Sequence, residues 1–512
     1  MHRSRLVGGV AIARIVWYVR EPSGATTYRP ARWGARYSSS SPDTSPSGRS
    51  MDVNVWIELP HDSPHGTPRE RRGPTNPRPF SPSHPSRGTM SLSLSADQPD
   101  VPADADDGVW LECIECGETF APFDDVRYTC DECDGLLEAR YEELPTFEDF
   151  EGEAPGVWRY SAALPFDEGV SIQEGNTPLY EVPRLEDDLG VEALRIKHEG
   201  MNPTGSFKDR GMTVGVKVAK ELGVGRLACA STGNTSAALA AYGSRGGMET
   251  LVLLPAGKVA AGKIAQASLH GARILEVDGN FDACLDIVQE LAADGEAYLL
   301  NSLNPFRLEG QKTIGLEILE GFLADYDAVP DRIVLPVGNA GNTSALYKAF
   351  RELVQAGALA EDDVPKLTGV QAEGAAPMVE AIENGADEVR RWEDVETRAT
   401  AIRIGNPVNA PKALPGIRET GGTAVSVTDE EITDAQRDLA GEGIGVEPAS
   451  AASVAGLRKL RREGVVGDDE RVACLTTGHL LKDPDAAAAA GADPEPVPAD
   501  TDAVLAHLQD AE

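Results

Sequence analysis

The sequence predicts an α/β fold built mostly of parallel sheet, and three observations carry that prediction. From about residue 142 onward, short apolar runs alternate with longer amphipathic ones, the pattern of strand-helix-strand units. The candidate strands fall at 226–230, 250–255, 273–277, 297–300, 332–337, 367–371, 423–427 and 471–476, with candidate helices between them. The loops that follow several of these runs hold clusters of Gly, Ser, Thr and Asn, and in such sheets ligands gather at the carboxyl ends of the strands. Composition agrees, since 41% apolar and 25% charged residues over 512 positions allow a large soluble core and roughly three domains.

Charge divides the chain. Residues 1–89 hold 13 Arg, no Lys and 6 Asp+Glu, a balance of +7, whereas the remaining 34 Lys+Arg and 77 Asp+Glu give −43, for a net −36. Two such compositions rarely belong to one surface. The Arg-, Ser- and Pro-rich 1–89 segment has no sustained period of 2 or 3.6 and is expected to be a disordered or mis-assigned extension. Its apolar stretch 6–19 is interrupted by Arg14, is too short to span a bilayer, and is not followed cleanly by a small-residue cleavage pattern. The acidic character begins at Met90, so a translation start there is the plainer expectation, which the intact mass of the native protein decides. An acid excess this large repels nucleic acid and anionic membrane and suits a surface adapted to high salt. A halophile's cytoplasm is therefore expected.

An acidic linker, 90–108, leads to Cys113-x-x-Cys116 and Cys130-x-x-Cys133. Two CxxC knuckles at short separation supply the four thiolates of a tetrahedral zinc site, so 109–141 is expected to be a zinc ribbon held by Cys113, Cys116, Cys130 and Cys133. Gly117 and Gly135 follow the pairs, as such turns prefer. Many zinc ribbons touch nucleic acid, but the surrounding charge opposes that here, and a structural staple is the expectation. Cys229, Cys284 and Cys474 lie in apolar runs and are expected to be small core residues.

The chain is organised around Asn202-Pro203-Thr204-Gly205-Ser206-Phe207-Lys208-Asp209-Arg210-Gly211. Pro203 and Gly205 break what precedes them, and Ser206 stands three residues before Asp209, the spacing of a capping box at a helix start. Lys208 then falls in the first helical turn. The positive end of the helix dipole disfavours an ammonium there, so this amine is expected to lose its proton more readily than most, as a Schiff-base lysine must. An isolated Lys after such a turn would more often be a surface residue.

Three further loops carry polar clusters. Ser231-Thr232-Gly233-Asn234-Thr235-Ser236 opens an Ala-rich helix, where hydroxyls and free amides bind anions or merely cap. Gly338-Asn339-Ala340-Gly341-Asn342-Thr343 ends the run 332–337, and its two glycines let backbone approach a phosphate closely. Asn301-Ser302-Leu303-Asn304-Pro305-Phe306-Arg307 follows the run 297–300; Arg307 offers a planar fork suited to phosphate, though a loop before a helix is the bland reading.

Together these motifs resemble the pyridoxal-phosphate enzymes of the tryptophan-synthase-β fold group, and within it the threonine synthases, over roughly residues 110–484. The resemblance implies fold type II: two open, twisted, mostly parallel sheet subdomains with helices on both faces, here with a small zinc ribbon added. The catalytic domain would be 142–484, with a smaller mobile subdomain at about 205–305 inserted in the larger one, and 485–512 an acidic, largely disordered tail apart from a helical stretch at 503–509. The resemblance makes Lys208 the cofactor-bearing catalytic lysine. Asn234 would meet the ring oxygen, Gly338, Asn339, Ala340, Gly341 and Asn342 the cofactor phosphate, and Thr477, in Thr477-Gly478-His479-Leu480, the pyridine nitrogen. The substrate carboxylate would be gripped by Ser231, Thr232, Asn234 and Thr235, and the substrate phosphate by Asn301, Ser302 and Arg307. The family pattern has Gly where this chain has Leu480. Glu174-Gly175-Asn176-Thr177-Pro178-Leu179, Ala401-Ile402-Arg403-Ile404-Gly405-Asn406-Pro407 and Glu447-Pro448-Ala449-Ser450 recur in the family as entry, core and helix-start segments.

The activity so implied converts O-phospho-L-homoserine and water to L-threonine and phosphate, with pyridoxal 5'-phosphate as cofactor and structural zinc. The expected partners are that small molecule and a second copy of the chain in a homodimer, with no nucleic acid and no membrane. Rival readings are a sister enzyme such as threonine dehydratase or cysteate synthase, a nucleic-acid-binding ribbon on an inactive enzyme domain, and a membrane-tethered form. A dehydratase of serine or threonine has no second phosphate to bind, which makes the Arg307 segment the discriminating feature.

Overall fold

The computed structural model describes residues 93–94, 101–103, 105–150, 154–257 and 261–510. The expectations for residues 1–89 lie outside the described residues. The strands are β1 (Val109–Cys113), β2 (Thr119–Phe120), β3 (Leu137–Tyr141), β4 (Leu179–Glu181), β5 (Ala193–His198), β6 (Arg226–Ala230), β7 (Glu249–Pro255), β8 (Arg273–Val277), β9 (Tyr298–Leu299), β10 (Arg332–Pro336), β11 (Lys366–Ala372), β12 (Thr423–Val427) and β13 (Arg471–Thr476). They form a three-stranded antiparallel sheet β2-β1-β3, a six-stranded sheet β12-β11-β10-β13-β5-β4 and a four-stranded sheet β8-β7-β6-β9. All pairings in the last two are parallel except β4 with β5. This is the fold-type II arrangement, two mostly parallel sheets with helices packed around them.

The helices that position the site are α1 (Pro183–Leu189), α2 (Lys208–Glu221), α3 (Asn234–Gly246), α4 (Ala261–Leu269), α5 (Phe281–Ala293), α6 (Phe306–Tyr326) and α7 (Gly341–Gln355). The crossing of α2 and α6 decides where the chemistry can occur. A Cβ on Gly310 would lie 1.7 Å from the Arg210 carbonyl oxygen and 3.1 Å from the Gly211 Cα, and one on Gly211 would lie 2.8 Å from the Arg307 carbonyl oxygen. Only glycine fits at both positions, so the two backbones approach more closely than side chains would permit. That contact brings the first turns of α2 and α6 together, and with them Lys208 and Arg307.

Helix α2 is also pinned by charge. The Arg210 guanidinium is fully buried and donates to both Glu199 oxygens at 2.7 Å and to Glu317 at 2.7 and 2.8 Å, while Lys197 donates to Glu317 at 2.6 Å. Attraction in this low-dielectric setting holds the Glu199 and Glu317 carboxyls below the usual carboxylate range despite burial. Strand β5 is illegible in the sequence for the same reason: Arg195 and Lys197 interrupt its apolar run, yet both are buried against carboxylates of Glu181 and Glu317.

The three-stranded unit does not pack alone. Leu111, Leu137 and Ala139 belong to one apolar core with Met212, Val214 and Val218 of α2 and with Phe306. At the other end of the chain, helices span Pro484–Ala490 and Thr501–Asp510, both largely exposed. The tail thus carries helix at 501–510, around the stretch expected to be helical, and a second helix that the sequence does not lead one to expect.

Candidate active site

Lys208 is the first residue of α2. The expected capping box between Ser206 and Asp209 does not form. Phe207 precedes the helix without any side-chain cap, the Ser206 hydroxyl has no partner among the described residues, and the Asp209 carboxylate turns back to accept from Thr204 N at 2.7 Å and from the Thr204 hydroxyl. The reason is the bend at Gly205, φ +86°, which sends Ser206 into a bridge with Gly478 rather than toward α2. Burial holds the Lys208 amine well below the usual lysine range, the nearby Arg307 guanidinium lowers it further, and Glu447 opposes both. Desolvation is the largest cause, where the sequence pointed to the helix dipole, and it makes this amine easier to deprotonate. Its Nζ lies 4.1 Å from the Phe207 ring centroid.

Strand β6 delivers Ser231 to Thr235, all half-buried, to the start of α3, whose first amides have no intrahelical acceptor. Asn234 donates its amide to both oxygens of Glu447, at 3.0 and 3.2 Å. Burial pushes the Glu447 carboxyl up, against the lowering effect of that hydrogen bond. Gly478 leaves room for the Glu447 carboxylate in this position, since a Cβ on it would lie 2.4 Å from Glu447 Oε1 and push that side chain aside.

Strand β10 ends at the loop Gly338-Asn339-Ala340, and α7 begins at Gly341. Ala340, 3% exposed, holds φ +62°, a left-handed conformation costly for a residue with a Cβ and one that clusters at binding sites. The Gly338 backbone runs under the 401–407 segment, where an added Cβ would sit 3.1 Å from the Ala401 carbonyl oxygen. Asn339 holds that wall through its carbonyl, which accepts from Asn409 N at 3.1 Å. Beyond it, Asn342 Oδ1 and Thr343 Oγ1 are buried without partners, as is Gln311 Oε1 on α6.

From the neighbouring strand β13 comes Thr477, 6% exposed, whose hydroxyl lies 3.0 Å from Ser450 Oγ and whose carbonyl accepts from Phe207 N at 3.0 Å. The Thr477 loop and the Lys208 loop are therefore zipped together, with His479 N donating to the Gly205 carbonyl at 2.9 Å. His479 accepts from Leu481 N at 3.2 Å and packs beside His198, the role of a packed imidazole. Leu480 lies where a side chain on Gly445 would be, 1.9 Å from such a Cβ, so Gly445 makes its room.

The segment after β9 places Arg307 at the second position of α6. Arg307 is 2% exposed, its Nε has no partner, and among the described residues its guanidinium makes no ion pair. Burial lowers its pKa to about 10. Its stem lies across the bare face of Gly211 and Gly215 on α2. Leaving a guanidinium buried without an anion costs several kcal/mol, about 3–5, so such a group normally answers to a ligand. Asn301 is engaged differently from its expected role: it exchanges hydrogen bonds of 3.0 and 2.9 Å with the Ala230 backbone, fixing the end of β6 and leaving one amide hydrogen free. Ser302 is half-buried, and its carbonyl accepts from Asn409 Nδ2 at 3.0 Å.

These residues fit pyridoxal phosphate. An amine whose proton is loosened by desolvation, a strained glycine-rich helix start, and polar atoms on Ser206, Arg307, Gln311, Asn342 and Thr343 that are buried without partners among the described residues suit a polar, anionic group. Sequence reasoning missed Glu447 and Ser450. Both sit at the start of the helix Pro448–Arg462, where a Glu before Pro reads as an ordinary helix entry. The signal that could have found Glu447 is that it does not cap that helix.

Away from this cleft, the sulfurs of Cys113, Cys116, Cys130 and Cys133 lie within 4.8 Å of one another, with three separations of 3.4–3.5 Å. Tetrahedral zinc–sulfur bonds of about 2.3 Å would set sulfurs about 3.8 Å apart, so the cluster could hold a metal. The knuckles are matched turns, Gly117 N donating to the Cys113 carbonyl and Asp134 N to the Cys130 carbonyl, each at 3.0 Å. Gly135 leaves the room that Cys113 Sγ needs, since a Cβ on that glycine would lie 2.8 Å from the sulfur. Cys229, Cys284 and Cys474 are buried thiols of the core.

The family pattern described as "Pyridoxal-phosphate dependent enzyme" matches residues 170–478. The chain is 59% identical over 399 residues to the threonine synthase of Methanosarcina acetivorans, covering 77% of this chain and 97% of the relative. It is 56% identical over 384 residues to that of Methanocaldococcus jannaschii, covering 73% and 93%. In fold it is similar to the processed form of threonine deaminase isoform 2 from Solanum lycopersicum, TM-score 0.52 at 22% identity, covering 66% of this chain and 88% of that one. The match runs from before Lys208 to beyond Thr477 and takes in each of the cleft loops described above: this chain belongs to the family of pyridoxal-phosphate dependent enzymes.

Proposed function

We propose that this chain is a threonine synthase, converting O-phospho-L-homoserine and water to L-threonine and phosphate in threonine biosynthesis. The relatives of that name, at 45–59% identity, support it. The observation that carries the substrate choice is Arg307, a buried guanidinium with no carboxylate of its own, set against α2 beside the catalytic lysine. In this reading the enzyme is a carbon–oxygen lyase acting on a phosphate ester.

Pyridoxal phosphate supplies, when bound, an aldehyde for an amine and a conjugated ring that accepts the electron pair left as an α-proton departs. The residues that would hold it are Lys208, Asn234, the 338–342 loop and Thr477. Ser231, Thr232 and Thr235 orient the substrate carboxylate with the first amides of α3. The Lys208 amine, made easier to deprotonate by desolvation, takes the proton from Cα, gives it up again, and then takes one from Cβ, holding one proton at a time. Arg307, with Ser302 and the free amide hydrogen of Asn301, holds the γ-phosphate as its C–O bond breaks. The proton that Lys208 took from Cβ is delivered at Cγ to complete the methyl group, water adds as hydroxide at Cβ with its proton going to the released phosphate, and a proton returned at Cα frees the amine again. A hydroxyl partner such as Thr477 leaves the ring nitrogen less charged than a carboxylate would.

The four-cysteine cluster is assigned to structural zinc, which supports the 109–141 unit as a ribbon. Purified protein is expected to carry about one equivalent of zinc per chain, and metal analysis showing none would remove this assignment. The 205–305 region, with its own sheet β8-β7-β6-β9, is read as the smaller, mobile subdomain. The acidic surface supports a halophilic, cytoplasmic enzyme, and a homodimer is the proposed assembly; among the described residues no helix is long and apolar enough to cross a membrane.

The substrate is tested by measuring phosphate release from O-phospho-L-homoserine and O-phospho-L-serine, with keto-acid formation from L-threonine in parallel. Phosphohomoserine is expected to exceed phosphoserine, one methylene shorter, by about a hundredfold in kcat/KM, and threonine, which lacks the phosphate, by about 10⁴ or more. Preference for phosphoserine or threonine would point to a sister enzyme instead.

A further inference from the structure

We propose that the cysteine-bearing three-stranded unit is a positioning module for substrate-phosphate recognition, acting on the 299–307 segment through Tyr128. The proposal rests on the reading that Arg307 receives the substrate phosphate.

Strand β9 is the edge of its sheet and only two residues long. Its inner side is satisfied by β6, Leu300 N donating to the Ala228 carbonyl at 2.9 Å. On its outer side the amide of Leu299, a fully buried residue, donates to Tyr128 Oη at 2.7 Å. Without that hydroxyl the amide would be buried and unpaired, a penalty a short edge strand is poorly placed to absorb. The Tyr128 ring also lies 5.8 Å from that of Tyr298, and Phe123 stacks on Phe306 at 5.8 Å, one residue before Arg307. Past Arg307, the Tyr141 hydroxyl on β3 donates to Glu309 at 2.7 Å, on the same first turns of α6. The contacts thus bracket Arg307 on both sides.

Phe123 and Tyr128 lie between the two CxxC pairs, so the cysteine knuckles hold the loop that delivers both rings. A loop clamped at two points can set a position where a free one would only cover it. The same unit also grips α7 and its surroundings, through the Glu138–Arg351 ion pair and Lys412 Nζ on the Leu137 carbonyl at 2.6 Å, but those contacts fall further along the helices. Tyr128 touches neither cofactor residues nor Arg307 itself, which makes it a positioning residue for the second anion pocket rather than a catalytic one.

The test uses the holoenzyme of the full chain, with inorganic phosphate as the probe, so that the cofactor cradle is already filled. In Tyr128→Phe, which removes only the oxygen, the calorimetric Kd for inorganic phosphate and the KM for O-phospho-L-homoserine are expected to rise about tenfold. The kcat and the cofactor absorbance are expected to stay within twofold. Phe123→Leu is measured beside it and should shift the same two quantities should Tyr128→Phe prove poorly folded. Unchanged phosphate affinity in both variants, or an equal fall in kcat and cofactor retention, overturns the proposal, since a merely structural role gives those results. Arg307→Met run in parallel separates the two levels. If it abolishes phosphate binding while Tyr128→Phe does nothing, only the positioning role falls; if it leaves phosphate binding intact, the reading of Arg307 falls and the positioning role with it.

Discussion

Lys208→Ala is expected to lose turnover of O-phospho-L-homoserine by about a thousandfold or more, together with the absorbance of the lysine-bound cofactor. The size follows from the work the amine does: it anchors the cofactor and it moves protons at Cα and Cβ, and positioned acid-base catalysis alone contributes about 10²–10⁴. A variant that kept either the absorbance or the rate would show that another group carries the chemistry. The same substitution has a stability signature in the cofactor-free protein. The folded pKa of Lys208 is depressed by burial and by Arg307, so in the window below the unfolded lysine value the unfolded chain binds a proton that the folded one does not. Stability of the cofactor-free protein therefore rises with pH across that window. Lys208→Ala removes this contribution, so its stability is expected to climb less steeply as pH rises toward the unfolded lysine value of about 10.4, measured by denaturant unfolding.

What the sequence reveals follows from what burial does to residue types. Strands such as β6 and β13 read clearly because they are short apolar runs closed by Ser-Thr-Gly or Thr-Thr-Gly turns, and the chemistry sits in those turns. Strands β1, β3 and β5 do not, because Glu112, Glu138, Arg140, Arg195 and Lys197 are buried in them, and a charged residue is counted as exposed until its partner is known. Two of the decisive partners lie far away in sequence, Arg351 on α7 for Glu138 and Glu317 on α6 for Lys197, so no local pattern announces them. The Lys208, Asn234, Thr477 and 338–342 loops are legible because each follows a strand directly or breaks into a helix through a Gly-Ser turn. Glu447 is not, since its importance comes from Asn234 and Lys208, both far from it in sequence. The capping box fails because spacing alone cannot report the bend at Gly205 that turns Ser206 away.

Arg307→Met is expected to lower kcat/KM for O-phospho-L-homoserine by about a thousandfold while making the ligand-free protein more stable. The first effect arises because phosphate would take charge-assisted hydrogen bonds from a guanidinium fork, each about 1.5–3 kcal/mol, and two such bonds lost together come to about three orders of magnitude. The second arises because the free protein keeps this guanidinium 2% exposed, with Nε unpaired and its pKa lowered to about 10 by burial. Methionine fills the stem's place over Gly211 and Gly215 without a charge to desolvate, and replacing buried ionic groups by well-packed apolar ones is often stabilising by about 1–4 kcal/mol. Opposite signs in activity and stability separate a ligand-binding role from a structural one, because a residue that held the fold would lose both. Arg307→Lys, which keeps the charge but not the fork, is expected to fall between wild type and Arg307→Met in kcat/KM. If Arg307→Met lost stability and cofactor absorbance in step with activity, Arg307 would be a strut of the α2–α6 crossing. The second anion pocket would then have to be sought elsewhere on the 301–307 segment.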